Sequence, residues 1–263
     1  MALSVGFIGG GRVTRIFLAG WKRAGYWSSR VVVSDPDAKA LDVLTNAFPE
    51  VAVSHDDNLP AASQEIVFLA LHPPALKNVL GELRGRVSPA SLMVSLAPKL
   101  TLADMAATLG GVPRLARVIP NAPSMVGAGF NPMTLSPGLP SNDKKSLSTL
   151  MAPLGASPEV PETDLEAYAV LTGMGPTYLW FQLYELLAIA EGFGLTRGAA
   201  AEALQGMVRG AARTMAESGL PPAEVMDLVP VRPLAEDEQA FKEAYRVRLR
   251  AVFEKIHPAV MVF

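Results

Sequence analysis

Over the first 160 positions, short apolar runs alternate with stretches whose apolar residues recur at helical spacing. Val5–Ile8, Val31–Ser34, Ile66–Leu71, Leu92–Leu96 and Leu115–Ile119 are each four to six residues long and mainly apolar. Val51–Val53 is a shorter run that reads as one more strand, making Ile66–Leu71 the fourth and Leu115–Ile119 the sixth. Runs that stay apolar, rather than alternating with polar residues, belong to strands covered on both faces, as when crossover helices flank a parallel sheet. Between the first two runs, Val13, Ile16, Phe17, Gly20, Trp21 and Ala24 mark one face of a helix, and Gly25 supplies its stop. Thr101 followed by Asp104 predicts a capping box, with Asp in place of the usual Glu, that opens another helix. The order βαβ…β predicts a doubly wound α/β domain over residues 1–160.

After Pro161 no strand-like run remains. One helical stretch includes Leu165 to Phe193, interrupted by Gly173, Gly175 and Pro176, and a second spans Ala199 to Glu217. A last one carries Phe241, Tyr245, Leu249, Val252, Phe253 and Ile256 at helical spacing. Residues 161–263 therefore read as an all-helical domain of about a hundred residues, too small to cover its own apolar helices. It is expected to pack on a second copy of itself.

Composition narrows the chemistry. Half of the 263 residues are hydrophobic and 18% are charged, which suits a globular protein with a sizeable core. The net charge of -2 gives no reason to expect nucleic acid or an anionic membrane as partner. Arg246, Arg248 and Arg250 sit inside a helical pattern and read as a solvated face. Cysteine is absent, which excludes disulfides, thiolate chemistry and cysteine-held metals. The three histidines, His55, His72 and His257, have no metal-ligand spacing, so no metal is expected. The opening MALSVGFIGG reads as a first strand and not as a signal peptide, and the apolar run Tyr178–Ala190 is too short to span a bilayer. A cytoplasmic enzyme is the resulting expectation.

The glycines after the first run carry the first functional signal. In Val5-Gly-Phe-Ile-Gly-Gly-Gly-Arg-Val-Thr14 they lie directly after a buried strand and before an amphipathic helix. Gly9 can make the tight turn, and Gly11 lets backbone approach a pyrophosphate with no Cβ in the way. The helix N-terminus then offers free N–H groups to the phosphates. The third small position of the fingerprint is occupied by Thr14, a bulkier contact. The second run ends Val33-Ser34-Asp35-Pro36-Asp37. An acidic residue there accepts hydrogen bonds from the adenosine ribose and repels a 2′-phosphate, so Asp35 favours NAD over NADP. The competing reading is that Asp35 or Asp37 only caps the next helix.

Three further segments carry a resemblance: Phe68-Leu-Ala-Leu-His-Pro73, Ala116-Arg-Val-Ile-Pro-Asn-Ala-Pro-Ser-Met-Val-Gly-Ala-Gly129 and Leu171-Thr-Gly-Met-Gly-Pro-Thr-Tyr178. With Ile8-Gly-Gly-Gly11 they resemble the pyrroline-5-carboxylate reductase family over nearly the whole chain, to about Gly219. The resemblance implies a Rossmann-type domain followed by helices that interlock between two subunits, in a dimer or a higher homo-oligomer. It implies cofactor contacts at Gly9, Gly10, Gly11, Arg12, Val13, Ser34, Asn58, Ala70, His72, Pro73, Ala97 and, within the Pro120–Pro123 loop, Asn121. It assigns substrate contact to Gly173, Met174, Gly175, Pro176 and Thr177. The implied reaction is hydride transfer from NAD(P)H to the carbon of a cyclic imino acid, as in proline biosynthesis. A protonated imine is already electrophilic, and aligning the two reactants alone can lower a barrier by roughly 7–11 kcal/mol.

The chain departs from the family's pattern in four places. His72 stands where a lysine is usual, Met174 separates the two glycines of the helical turn, and Ala97-Pro98-Lys99 replaces a small-residue run ending in glycine. The Ser-Pro-Gly-Gly-Thr-Thr loop that grips the substrate carboxylate is replaced by Asp227-Leu-Val-Pro-Val-Arg-Pro233. Arg232 is then the candidate carboxylate partner, because a guanidinium holds a carboxylate with two parallel bonds; the same residue also fits a surface arginine in a proline-stiffened loop. His72 can protonate an imine, or it can simply pack on the cofactor. Two other readings stay open: a dehydrogenase of a different small substrate, and a non-catalytic dinucleotide sensor. The dehydrogenase frame would offer a lysine on the first long helix after the turn, and Tyr178–Leu195 has none.

Overall fold

Six parallel strands form where the apolar runs predict them: β1 (Ser4–Ile8), β2 (Arg30–Asp35), β3 (Ala52–His55), β4 (Ile66–Leu69), β5 (Leu92–Ser95) and β6 (Leu115–Val118). The computed structural model describes residues 3–27 and 30–257. Three short strands follow, β7 (Gly129–Phe130), β8 (Met133–Leu135) and β9 (Gly155–Ala156). The main sheet has the order β3-β2-β1-β4-β5-β6-β8, with β8 antiparallel to β6 at the edge. β7 and β9 pair separately. The order reverses direction between β1 and β4, which opens a crevice at the carboxyl ends of these strands.

Helices cover both faces of this sheet: α1 (Arg12–Arg23), α2 (Ala38–Ala47), α3 (Leu59–Ala62), α4 (Pro73–Leu83), α5 (Leu102–Leu109) and α6 (Ser141–Met151). Double cover is why the runs of β1, β4 and β5 are mainly apolar, while β3 at the sheet's edge is largely exposed. Phe7, Phe68, Phe17 and Trp21 pack in one core, with the Phe7 and Phe68 rings stacked at 5.0 Å, while Ile8, Leu69, Leu76 and Met105 belong to the other. The capping box is present: the Thr101 hydroxyl accepts from Asp104 N–H, and the Asp104 carboxylate accepts from Thr101 N–H. Gly110, at φ +82, closes that helix in the left-handed region. A glycine inside a strand also has a reason here. A Cβ on Gly6 would lie 1.9 Å from the Ala61 carbonyl oxygen, so α3 comes as close to β1 as backbone allows.

The remaining helices are α7 (Leu165–Tyr168), α8 (Pro176–Gly192), α9 (Arg197–Glu217), α10 (Pro222–Asp227) and α11 (Glu238–Ile256). A π-helical turn, Ala169–Gly173, follows α7 directly. The chain divides into one compact unit that ends at Met174 and resumes at Val252, and a second, Gly175–Ala251. The first unit thus runs past residue 160 and takes in α7 and the π-turn.

In the second unit α8 and α10 bury no residue, and α9 buries only Ala200. Phe181, Tyr184 and Phe193 are 64%, 68% and 84% exposed, and a trough between α8 and α9 is lined by Trp180, Leu187, Leu204 and Val208. Among the described residues no helix is long and apolar enough to cross a membrane.

Candidate functional site

The glycine turn sits at the crevice. Gly9, at φ +104, holds a conformation that L side chains rarely adopt, and a Cβ there would lie 2.5 Å from the Ala70 carbonyl oxygen. Its N–H donates to the Ser34 carbonyl at 2.8 Å, so the turn is held between the ends of β2 and β4. Around Gly11 a Cβ would meet nothing within 4 Å. The bulk of Thr14 is accommodated because its hydroxyl, fully buried, donates to the Gly9 carbonyl.

α1 starts at Gly11 with no capping side chain and no acid in its first turn, and Arg12 occupies its first position. Unpaired N–H groups, the positive end of the helix dipole and an arginine together favour an anion. A dinucleotide fits this cradle with its pyrophosphate at the start of α1.

Asp35 and Asp37 do different things. Asp37 caps α2, accepting from Lys39 N–H at 2.9 Å. Asp35 accepts from Gly10 N–H at 2.6 Å and from Asp37 N–H at 2.8 Å, so its carboxylate is fixed beside the glycine turn. The buried Ser34 hydroxyl donates to the Asn58 side-chain oxygen at 2.9 Å, which brings these two residues together. Ala70, His72 and Pro73 follow β4, and His72 is the exposed N-cap of α4 with no side-chain bond to that helix. Ala97 follows β5 and is buried. Asn121 follows β6; its side chain accepts from Phe130 N–H at 3.2 Å and donates to the Thr172 carbonyl at 3.3 Å. All of the residues assigned to the cofactor therefore lie in the first unit, most of them at the carboxyl edge of its sheet.

The substrate residues divide. In the first unit, Gly173 ends the π-turn, and a Cβ on it would meet Ile119 Cγ2 at 3.4 Å. Met174 N–H donates to the Ala169 carbonyl at 2.9 Å. Gly175, Pro176, Thr177 and Arg232 belong to the second unit. There Arg232 is ion-paired with Glu238 and, with Lys242, holds that carboxyl below the usual carboxylate range. Burial and the neighbouring Tyr245 push the Tyr178 phenol up, so it stays protonated at neutral pH.

Comparison with known proteins adds to this geometry. The family description NADP oxidoreductase coenzyme F420-dependent matches residues 4–99, and Pyrroline-5-carboxylate reductase dimerisation matches residues 162–259. A pyrroline-5-carboxylate reductase of Methanosarcina acetivorans is 27% identical over 95% of this chain and 92% of its own. Over nearly its whole length the chain is similar to pyrroline-5-carboxylate reductases. A pyrroline-5-carboxylate reductase structure from Coxiella burnetii is similar at 29% identity and TM-score 0.68, covering 97% of this chain and 94% of that one. A pyrroline carboxylate reductase structure from Plasmodium falciparum, with NADP bound, shares the fold at TM-score 0.81 and 21% identity, with 97% of each chain covered.

One part of this reductase-family frame had no apparent signal in the sequence. Arg117, on β6, is fully buried and pairs with Glu166 at 2.5 Å and Glu162 at 3.0 Å. Glu166 also accepts from Lys99 N–H at 2.9 Å, and Glu162 from Leu102 N–H at 2.7 Å. Lys99 stands where the family pattern has glycine and keeps a glycine-like backbone, φ +81. For an L-residue that costs about 1–2 kcal/mol, which the charge-assisted bond to Glu166 offsets. Charged residues in helix α7 and its approach look like any solvated face; only a lone arginine inside the apolar run Leu115–Ile119 hints at a buried partner. Arg117→Met strands the buried Glu166 carboxylate and should destabilise the first unit by about 3–5 kcal/mol in urea unfolding. An unchanged midpoint would show that the pair is replaceable by apolar packing.

Proposed function

We propose that this chain is an NAD(P)H-dependent reductase that delivers hydride to the carbon of a cyclic imino acid of the pyrroline-5-carboxylate type, the chemistry of proline biosynthesis. The observation that carries this reading is the uncapped glycine cradle at the sheet's switch point, in a chain whose helical half matches the reductase dimerisation description. A reduced nicotinamide, when bound, supplies the hydride. The protein's own residues bind and orient: the α1 N-terminus and Arg12 hold the pyrophosphate, and Asp35 and Asn58 face the adenosine ribose. The Pro120–Pro123 loop shapes the nicotinamide end, and the turn Gly173–Thr177 holds the imine. No observation favours the dehydrogenase or the sensor over this reading, and a cytoplasmic location goes with it.

Asp35 makes NADH the preferred donor, since a carboxylate held by Gly10 and Asp37 N–H groups accepts ribose hydroxyls and repels a 2′-phosphate. The purified chain should oxidise NADH in the presence of pyrroline-5-carboxylate, and NADPH more slowly. Asp35→Ser should narrow the ratio of the two kcat/KM values by about tenfold. Absence of turnover with either donor, despite a thermal shift on adding it, would remove the imine and leave the dinucleotide site.

Arg232 is the proposed partner of the substrate carboxylate, which would take the place of Glu238 in the ion pair that the guanidinium now makes. Arg232→Ala should raise the KM for the imino acid by about tenfold while kcat changes little. An unchanged KM would make it a surface ion pair only.

The bare apolar faces of α8 and α9 point to a homodimer through residues 175–251. Sedimentation of the intact chain should give at least twice its 27.9 kDa mass, and a monomer at micromolar concentration would end this part of the reading.

A further inference from the structure

Asn121 supplies a hydrogen-bond donor at the end of the π-turn. In a regular helix the Thr172 carbonyl would accept from the residue four ahead, which is Pro176 and has no N–H. The Asn121 side-chain amide donates to that carbonyl at 3.3 Å. Its orientation is fixed from the other side, because its Oδ1 accepts from Phe130 N–H at 3.2 Å. Its own N–H donates to Asn131 Oδ1 at 3.2 Å, and Asn131 is fully buried. Asn121 itself is 9% exposed, so its amide group is committed to protein partners. Gly173, the next residue after the held carbonyl, lies against Ile119 and Pro120. The loop after β6 and the end of the π-turn are thus joined through one side-chain amide.

We infer that Asn121 is a positioning residue for imine reduction: it touches neither reactant and sets the placement of the Thr172–Gly173 peptide against the end of β6. This rests on the reading of Gly173–Thr177 as the substrate turn. In place of the cofactor contact that the family resemblance implies for Asn121, it assigns the residue to the substrate side of the site. Proline at 176 cannot offer the N–H that an α-helical turn would use, and asparagine at 121 supplies a tertiary donor.

Asn121→Asp tests it, because the side chain keeps its size and its acceptor while the donor to Thr172 is lost. Two measurements are made on the intact chain: steady-state reduction of pyrroline-5-carboxylate with NADH, and amide hydrogen exchange. The expected result is a kcat/KM for the imine lowered about tenfold, an NADH dissociation constant that does not move, and faster exchange confined to residues 169–175. Where Asn121→Asp does not fold, Asn121→Ala removes the donor without adding charge and takes the same measurements. Unchanged exchange over 169–175 overturns the inference whatever the turnover. Weakened NADH binding also overturns it, in favour of direct cofactor contact. A wild-type chain that does not reduce this imine would remove the substrate reading separately, and the exchange result would still decide whether Asn121 holds the turn.

Discussion

A single buried guanidinium joins parts of the first unit that are far apart in sequence. Arg117 comes from a strand in the middle of the sheet's apolar pattern, and it meets two carboxylates from the segment leading into and through α7. Burying the Arg117 guanidinium and the Glu166 carboxylate is costly unless the cluster, with the part-exposed Glu162, has further partners. The further partners are the N–H groups of Lys99 and Leu102, on the connection from β5 to α5. One charge cluster therefore ties β6, the β5 crest and α7 together. It accounts for a compact unit that continues past the last strand to Met174.

Much of this was legible in the sequence, for reasons that differ from element to element. The strands β1, β2, β4, β5 and β6 and helix α1 could be read because burial on two faces, or on one helical stripe, writes a local pattern. The capping box at Thr101 could be read because it needs only four consecutive residues. The edge strand β8 and helix α6 could not. A three-residue strand carries too few positions to show a period, and Ser141–Met151 buries only Leu147, Leu150 and Met151. The site divides the same way. The glycine cradle and Asp35 lie near one another in sequence and are visible as a motif. The Arg117 cluster and the Asn121 link depend on pairings 45 to 67 residues apart, which no local pattern records.

The departures from the family's pattern fall unevenly. The dinucleotide half keeps its geometry even where residues differ: Thr14 bonds back into the turn, and Lys99 adopts the backbone of the glycine it replaces. In the helical part the sequence differs in kind from the resemblance's pattern, with a proline-bounded segment and one arginine at Asp227–Pro233. A backbone cradle tolerates side-chain change as long as Gly9 stays glycine.

The return of α11 to the first unit has a consequence for the order in which the molecule can be completed. Ile256 packs with Ile119, Leu165 and Ala169, residues that precede it by about ninety or more positions. During synthesis the chain emerges from its N-terminus, and domains tend to fold as they appear. Here the sheet can assemble early, yet this small cluster beside the end of β6 stays open until all of residues 175–251 have been made. The loop after β6 therefore takes its final support last. A chain truncated before Val252 would hold its strands and still lack the apolar cover beside Ile119.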